Sequence, residues 1–221
     1  MLDEKPIKLN SKEIKELEEE FIQKHYKKNE VIFFEGEKGE GLFLIEKGKV
    51  KLVKMSEGGE ELTLNIYRDN EIFAEIVIFD HGPYPATAIT MEKSKINKID
   101  IKDLNSFIAK HPDISTKIMK IITKRLRRAQ QNVQNLGLKN SKNRLAALLN
   151  YLAERHGIKE NNKTKINMSL TQQEIANMIG TTRETVSRAI NLFKRKGYIE
   201  TNKNNIYISN LSNLKNEMWY L

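Results

Sequence analysis

A run of polar residues near position 185 has the side chains and the spacing needed to read the edges of DNA bases. Arg183, Glu184, Ser187 and Arg188 fall on one side of any helix that contains them. Arginine can donate two parallel hydrogen bonds to O6 and N7 of guanine, and a carboxylate can accept one from N4 of cytosine. The alternative is a solvated helix surface with a Glu184–Arg188 pair one turn apart.

Two short helices joined by a tight turn are predicted to hold this face. Thr171 and Glu174 have the spacing of a capping box, so a helix is expected to begin near Gln172. Gly180 can end that helix, and Thr182 can cap a second one. The second helix has an apolar stripe that can pack on the first: Val186, Ala189, Ile190 and Phe193. Residues 169–197 therefore predict a helix-turn-helix. This prediction favours the interpretation that the polar face contacts DNA bases over the interpretation that it is an ordinary solvated surface.

The distribution of charge supports a polyanionic partner. The chain has a net charge of +9, and residues 139–221 contain 14 Lys and Arg against 6 Asp and Glu. Clustered cations gain free energy by releasing counterions from phosphates. The absence of cysteine excludes disulfides, thiolate iron–sulfur clusters and a thiol nucleophile. Because there is no long apolar run and no signal-peptide pattern, we expect a cytoplasmic protein without a membrane partner.

The first half of the chain has the pattern of a β-rich domain. Short apolar runs between Val31 and Ile101 are interrupted by glycines and by Asp69-Asn70, and alternation is clearest over residues 49–54. Many short strands with regular turns predict a β-roll of the jelly-roll type. Residues 1–110, with a short amphipathic helix at 11–21, are assigned to this domain.

A long helix with two apolar stripes is predicted between Ile114 and Leu138. One stripe has heptad spacing: Met119, Ile122, Leu126, Ala129, Val133 and Leu136. Beside it runs a second stripe: Ile114, Ile118 and Ile121. We expect the second stripe to pack on the β domain and the heptad stripe to form the dimer interface with a second copy of the chain, so that residues 111–138 form a homodimer helix and hinge. The alternative is a helix that is covered on both sides within one chain.

The remaining residues complete a winged helix-turn-helix domain over residues 139–221. A polar stretch at 135–143 is interpreted as the hinge, and the spacing of leucines predicts a helix over residues 143–156. Ile199 and residues 206–208 flank the polar stretch 202–205, which predicts a hairpin wing. The fold class expected for the whole chain is α+β.

The order of these parts resembles the cyclic-AMP receptor protein/FNR (CRP/FNR) superfamily of bacterial transcription regulators. The resemblance covers nearly the whole chain and is most specific in LTQQEIANMIGTTRETVSRAINLFKRKGYI. It implies a homodimer that binds a two-fold DNA site and recruits or blocks RNA polymerase. In the receptor-protein branch, the pattern R-E-x-x-x-R reads a TGTGA-like half-site. Arg183, Glu184 and Arg188 stand at those positions, with Thr182 at a phosphate-contact position.

The sensor part resembles the family less closely. In the cyclic-AMP-binding branch a Gly-Glu pair is followed by an Arg-Ser pair that holds the cyclic phosphate, whereas this chain has Ala74-Glu75 and Pro85-Ala86. Burying a phosphate without a cation is costly, so cyclic AMP is not expected as the effector. The resemblance implies an effector pocket with these residues: Phe73, Glu75, Ala86, Leu126, Ala129 and Gln130. Such a pocket favours a small, largely apolar or weakly anionic ligand, and a regulator without an effector is the alternative.

A haem would need an axial ligand, for which histidine is the only plausible residue type here besides methionine, and the sequence has four histidines. His81 lies in the loop region where a gas-sensing branch of the family places its haem, although a histidine in a surface turn is the simpler interpretation. A cupin-type metal enzyme with a DNA-binding tail would need several histidine and glutamate ligands, and residues 31–101 contain only one histidine. We therefore expect no catalytic residue, no metal and no cofactor.

Overall fold

The computed structural model describes residues 21–110 and 112–218 of the 221-residue chain. Within these residues the chain forms two compact units, one ending at Arg128 and the next beginning at Ala129. The short helix predicted at 11–21 lies outside the described residues, apart from Phe21. No helix within the two described segments is long and apolar enough to cross a membrane.

The first unit contains an antiparallel β-roll. Its eight strands are β1 Ile22–Tyr26, β2 Val31–Phe33, β3 Gly41–Lys47, β4 Lys49–Met55, β5 Glu61–Arg68, β6 Ile72–Phe73, β7 Thr87–Thr90 and β8 Ser94–Asp100. They form two four-stranded sheets with the orders β1-β8-β3-β6 and β2-β7-β4-β5. This arrangement confirms the predicted jelly roll, and the alternating residues 49–54 lie in β4.

Aromatic rings fill the core of the roll because inward positions alternate along every strand. The ring of Phe33 stacks on that of Tyr84 at 3.8 Å, and the rings of Phe43 and Phe73 are 5.1 Å apart. The Tyr84 hydroxyl accepts a hydrogen bond from the backbone N–H of Gly41 at 3.3 Å. A Cβ atom at position 41 would lie 2.4 Å from a backbone oxygen of β8, so only glycine allows this close approach.

Three helices follow or interrupt the roll: α1 Val77–Asp80, α2 Ile101–Lys110 and α3 Pro112–Leu138. The inner stripe of α3 is buried against leucine and isoleucine side chains of the roll, as predicted: Ile114, Ile118 and Ile121. On the other stripe, Met119, Leu126 and Val133 are 54%, 59% and 71% exposed in the single chain. The helix continues through Gly137, so the connection to the next helix is only residues 139–140, shorter than the predicted hinge.

The second unit combines four helices with one sheet. The helices are α4 Ser141–His156, α5 Gln172–Ile179, α6 Arg183–Arg195 and α7 Leu211–Asn216, and the strands are β9 Gly157–Glu160, β10 Lys163–Ile166, β11 Ile199–Asn202 and β12 Asn205–Ile208. The sheet order is β11-β12-β10-β9, and β11 and β12 are the predicted wing.

The hairpin β9–β10 was not predicted from the sequence. Every residue of β9 is exposed, so this strand lacks the apolar alternation that marks a half-buried strand. Its turn contains Asn161 and Asn162, both with positive φ angles, 46° and 61°. Paired asparagines that adopt positive φ are typical of two-residue hairpin turns, and this was the signal that could have revealed the hairpin.

Candidate nucleic-acid interface

The first helix of the helix-turn-helix is fixed at both ends as the sequence predicts. The Thr171 hydroxyl accepts a hydrogen bond from the N–H of Glu174 at 3.2 Å, and the Glu174 carboxylate accepts one from the N–H of Thr171 at 2.6 Å. Gly180 ends α5 with φ 61° and ψ 57°, the left-handed conformation that glycine adopts without steric cost. The capping box and the glycine turn are therefore both confirmed.

The second helix, α6, turns its apolar side inward and its polar side to solvent. Its cap is Thr182, whose hydroxyl accepts a hydrogen bond from the N–H of Thr185 at 3.3 Å. The predicted stripe is buried: Val186, Ala189, Ile190 and Phe193. Because α5 buries Ile175, Ala176 and Ile179 in turn, the two helices share one core and the orientation of α6 is set by packing.

The polar side of α6 leaves its hydrogen-bonding groups accessible. Arg183, Glu184 and Arg188 are exposed, and Ser187 is half-buried. Arg188 donates to the hydroxyl of Thr185 at 3.3 Å rather than forming a close ion pair with Glu184. The pKa of Glu184 is lowered by its own backbone N–H, by the Thr182 hydroxyl and by the nearby arginines. The face therefore presents two guanidinium groups and one ionised carboxylate, the donor and acceptor set that suits a G·C pair.

The first turn of α4 supports the turn of the helix-turn-helix. The hydroxyls of Ser141 and Thr181 are 3.3 Å apart, and Arg144 donates to the carbonyl oxygen of Gly180 at 3.2 Å. The side chain of Asn140 caps α4 by accepting from the N–H of Asn143 at 3.0 Å. Sequence reasoning did not identify the contacts with the turn, because they join residues about 40 positions apart.

Comparison with known proteins identifies the family. The cyclic nucleotide-binding domain model matches residues 23–111, and the Crp-like helix-turn-helix domain model matches residues 143–217. The CRP-like cAMP-activated global transcriptional regulator of Mycobacterium tuberculosis is 34% identical over 189 residues, which cover 86% of this chain and 84% of that protein. The chain belongs to the CRP/FNR family.

Further relatives agree with this assignment. The cyclic AMP receptor protein of Thermus thermophilus is 29% identical over 180 residues, covering 81% of this chain and 80% of that protein. A solved structure of a CooA mutant from Carboxydothermus hydrogenoformans is 28% identical in sequence and superposes with a TM-score of 0.80. The match covers 90% of this chain and 88% of that chain. The chain is thus a DNA-binding transcription regulator of the CRP/FNR type, and the resemblance inferred from its sequence is confirmed.

A buried carboxylate at the end of the CRP/FNR helix-turn-helix domain ties α6 to α4. Glu217 is 6% exposed, and its two carboxylate oxygens lie 2.5 Å from Nζ of Lys196 and 2.9 Å from Nζ of Lys142. Its backbone oxygen accepts from the Asn143 side chain at 2.6 Å. Burial opposes ionisation, but the two lysines more than offset it and lower the pKa of Glu217. This contact, which the sequence did not suggest, holds the C-terminal end of α6.

The sensor residues of the CRP/FNR roll are distributed as follows. Phe73 is fully buried among the aromatic rings, and Ala86 is also buried. On α3, Leu126, Ala129 and Gln130 are exposed. The effector pocket that combined these residues stays a prediction.

Glu75 has a cationic partner that lies outside the residue pairs by which the sequence was matched to the cyclic-AMP-binding branch. Its carboxylate forms an ion pair with Arg125 of α3. Arg125 also donates to the carbonyl oxygen of Ile72 at 2.5 Å and lies 4.7 Å from the centre of the Tyr67 ring. Burial raises the pKa of the Tyr67 phenol, which stays neutral beside the guanidinium group. A cation is therefore present near Glu75, although it comes from the long helix and is already held by three groups.

The histidine considered as a haem ligand lies in a surface turn. His81 follows α1 with φ 52°, and its side chain is exposed. Within residues 21–110 and 112–218, no group of three or more histidine, aspartate or glutamate side chains is arranged to hold a metal ion.

Proposed function

We propose that this regulator is a homodimer that reads two TGTGA-like half-sites through residues 182–194 of each copy. The accessible face of α6 carries the proposal, because Arg183, Glu184 and Arg188 extend from a helix whose own core fixes its orientation. Arginines in this arrangement select guanine, and the carboxylate selects the cytosine of a neighbouring pair. Residues 1–110, 111–138 and 139–221 then act as sensor, dimerisation helix and DNA-binding domain.

The dimer part of the proposal is supported by the outer stripe of α3. Three large apolar side chains at heptad spacing are more than half exposed in the single chain: Met119, Leu126 and Val133. Ile122 is half-buried and Ala129 is exposed on the same stripe, whereas the side chain of Leu136 lies outside what the structure describes. An apolar stripe of this length on an exposed helix is typical of a coiled-coil partner. Two copies would give two recognition helices, as a two-fold DNA site requires.

Selection from random duplex DNA tests the proposed reading. The expected result is a palindrome in which each half contains the same G·C pairs. Arg188→Ala should then relax the choice at one base pair, whereas Thr182→Ala should weaken binding to all sequences similarly. Recovery of sites with no G·C pair common to the two halves would contradict the proposal. A regulator of this kind is proposed to recruit or block RNA polymerase at such sites.

For control by a ligand, the observation at Arg125 favours a regulator that does not depend on cyclic AMP. The ion pair of Arg125 with Glu75 already links α3 to the roll without any ligand. A cyclic phosphate would have to remove the guanidinium group from Glu75, because Pro85-Ala86 offers no other cation. Calorimetric titration with cyclic AMP and cyclic GMP should show no binding at micromolar concentration, and an absorption spectrum should lack a Soret band. Binding of either nucleotide would contradict this part of the proposal, and a Soret band would make His81 a ligand candidate.

A further inference from the structure

One polar side chain on the exposed side of α6 has no part in the reading of G·C pairs described above. Asn191 lies three residues after Arg188 and seven after Glu184, and its side chain is exposed. Successive residues of an α-helix are about 100° apart, so Asn191 lies within about 20° of Glu184 and about 60° from Arg188 around the helix axis. Glu184, Arg188 and Asn191 therefore form one stripe along α6.

The buried residues of α6 determine which of its sides faces away from the domain core: Val186, Ala189, Ile190 and Phe193. By the same angular spacing, Asn191 and Arg188 each lie about 30° from the direction opposite these buried residues, whereas Arg183 lies about 110° from it. A recognition helix enters the major groove with the side that faces away from its own domain. Asn191 is therefore as well placed as Arg188 to meet base edges.

The amide of Asn191 stabilises nothing within the domain. Its side chain makes no hydrogen bond with any residue that the structure describes. It caps no helix either, because α6 begins at Arg183 and ends at Arg195. Asparagine is a poorer helix former than alanine, lysine or glutamine, since its amide competes for backbone groups in other conformations. A disfavoured residue with an unused amide on the outward stripe indicates a partner outside the chain.

The distance along α6 and the chemistry of the amide both suit an A·T pair. A rise of 1.5 Å per residue places the Cα atoms of Arg188 and Asn191 about 4.5 Å apart along the axis, compared with about 3.4 Å between successive base pairs. An asparagine amide can donate to N7 of adenine while it accepts from N6. The arginines and the carboxylate of α6 select guanine and cytosine, so they leave the A·T pairs of a TGTGA-like half-site without a reader.

We propose that Asn191 is a further specificity-determining residue, which reads the adenine of one A·T pair next to the G·C pair contacted by Arg188. The proposal rests on the function proposed above, in which α6 enters the major groove of each half-site. It assigns the choice of an A·T pair to a single named side chain.

Selection from random duplex DNA, repeated with Asn191→Ala, tests the proposal. The unmodified protein should recover one A·T pair beside the common G·C pairs of each half, and the variant should lose the preference at that pair alone. Replacing the pair in one half-site should weaken binding by about 5- to 150-fold for the unmodified protein and by less than about twofold for Asn191→Ala.

Two controls separate this effect from unfolding and from a general loss of asparagine. Alanine favours the helix, so the melting temperature of Asn191→Ala should not fall. Asn213 is an exposed asparagine of α7 in the same domain, and Asn213→Ala should keep the preference for the A·T pair.

Two chemical changes identify the contact with adenine. 7-Deazaadenine at the selected position lacks the N7 acceptor but keeps its base pairing, so it should weaken binding of the unmodified protein and not of Asn191→Ala. Asn191→Asp should shift the preferred base towards cytosine, because a carboxylate accepts from N4.

The outcomes distinguish this proposal from the proposed function. An equal loss of affinity for all sequences in Asn191→Ala would assign Asn191 to a phosphate, and unchanged affinity and preference would assign it to the solvated surface. Either result overturns this proposal and leaves the proposed function intact. If the unmodified protein recovers no G·C pair common to the two halves, both are contradicted.

Discussion

The outer stripe of α3 allows a quantitative prediction about assembly. Full burial of a leucine side chain stabilises an interface by about 1.5–3 kcal/mol. Leu126 is 59% exposed in the single chain, so covering it in both copies of a two-fold dimer should contribute about 2–3.5 kcal/mol. The substitution Leu126→Glu removes this contribution and places two carboxylates near the symmetry axis.

The dissociation constant of the dimer should therefore rise by at least about 25-fold and up to about 300-fold, because 1.4 kcal/mol corresponds to a factor of ten. Repulsion between the carboxylates can only increase the effect. Sedimentation velocity over a series of concentrations measures the shift directly. The affinity for a two-half-site operator should fall in parallel, although the variant leaves every base-contacting side chain in place.

A matched control separates the dimer from a general effect of added charge. Ile158 in β9 is an apolar side chain of similar exposure, 46%, outside the stripe. Ile158→Glu should leave sedimentation unchanged. The reasoning would be refuted if the unmodified protein sediments as a monomer at micromolar concentration and still binds its operator tightly, or if both variants behave alike.

Three further predictions concern the DNA-binding domain. Arg188→Ala should reduce operator affinity by about 1–3 kcal/mol, with the loss confined to one base pair in competition assays against singly substituted operators. The pKa of Glu217 is lower in the folded protein than its ordinary value of 4.5. Its ion pairs with Lys142 and Lys196 therefore stabilise the fold fully above pH 4.5, and this stabilisation is lost as the pH falls through the lower folded-state pKa. Melting curves between neutral and acid pH should thus show a steeper fall for the unmodified protein than for Glu217→Gln, and equal slopes would contradict this assignment. Phe193→Ala should cost about 3–5 kcal/mol of unfolding free energy in urea titration, because the side chain is fully buried.

Local chemistry made much of this protein predictable from its sequence. The capping box at Thr171 and Glu174, the turn at Gly180 and the stripes of α3 each depend on residues within four positions of one another. The sequence also predicted the jelly roll, since alternating runs and turn residues recur at short intervals through the first half of the chain. Such patterns depend on residues close together in sequence, and the folded chain places these residues in the helices, turns and strands that the patterns predict.

The tertiary structure decided which groups meet across long stretches of sequence. Comparison of Pro85-Ala86 with the family indicated a sensor without a cation, yet Arg125 supplies one by contacting Ile72, 53 positions away. Likewise, the hydrogen bond between Asn143 and Glu217 joins residues 74 positions apart. At the same place, Lys142 and Lys196 both form ion pairs with the buried carboxylate of Glu217. The heptad spacing assigned the outer stripe of α3 to a second copy of the chain and left the stripe of Ile114, Ile118 and Ile121 for the roll. Which side chains of the roll cover that stripe was decided by the tertiary structure, because Leu42, Ile72 and Ile99 lie on three separate strands and meet only in the packed core.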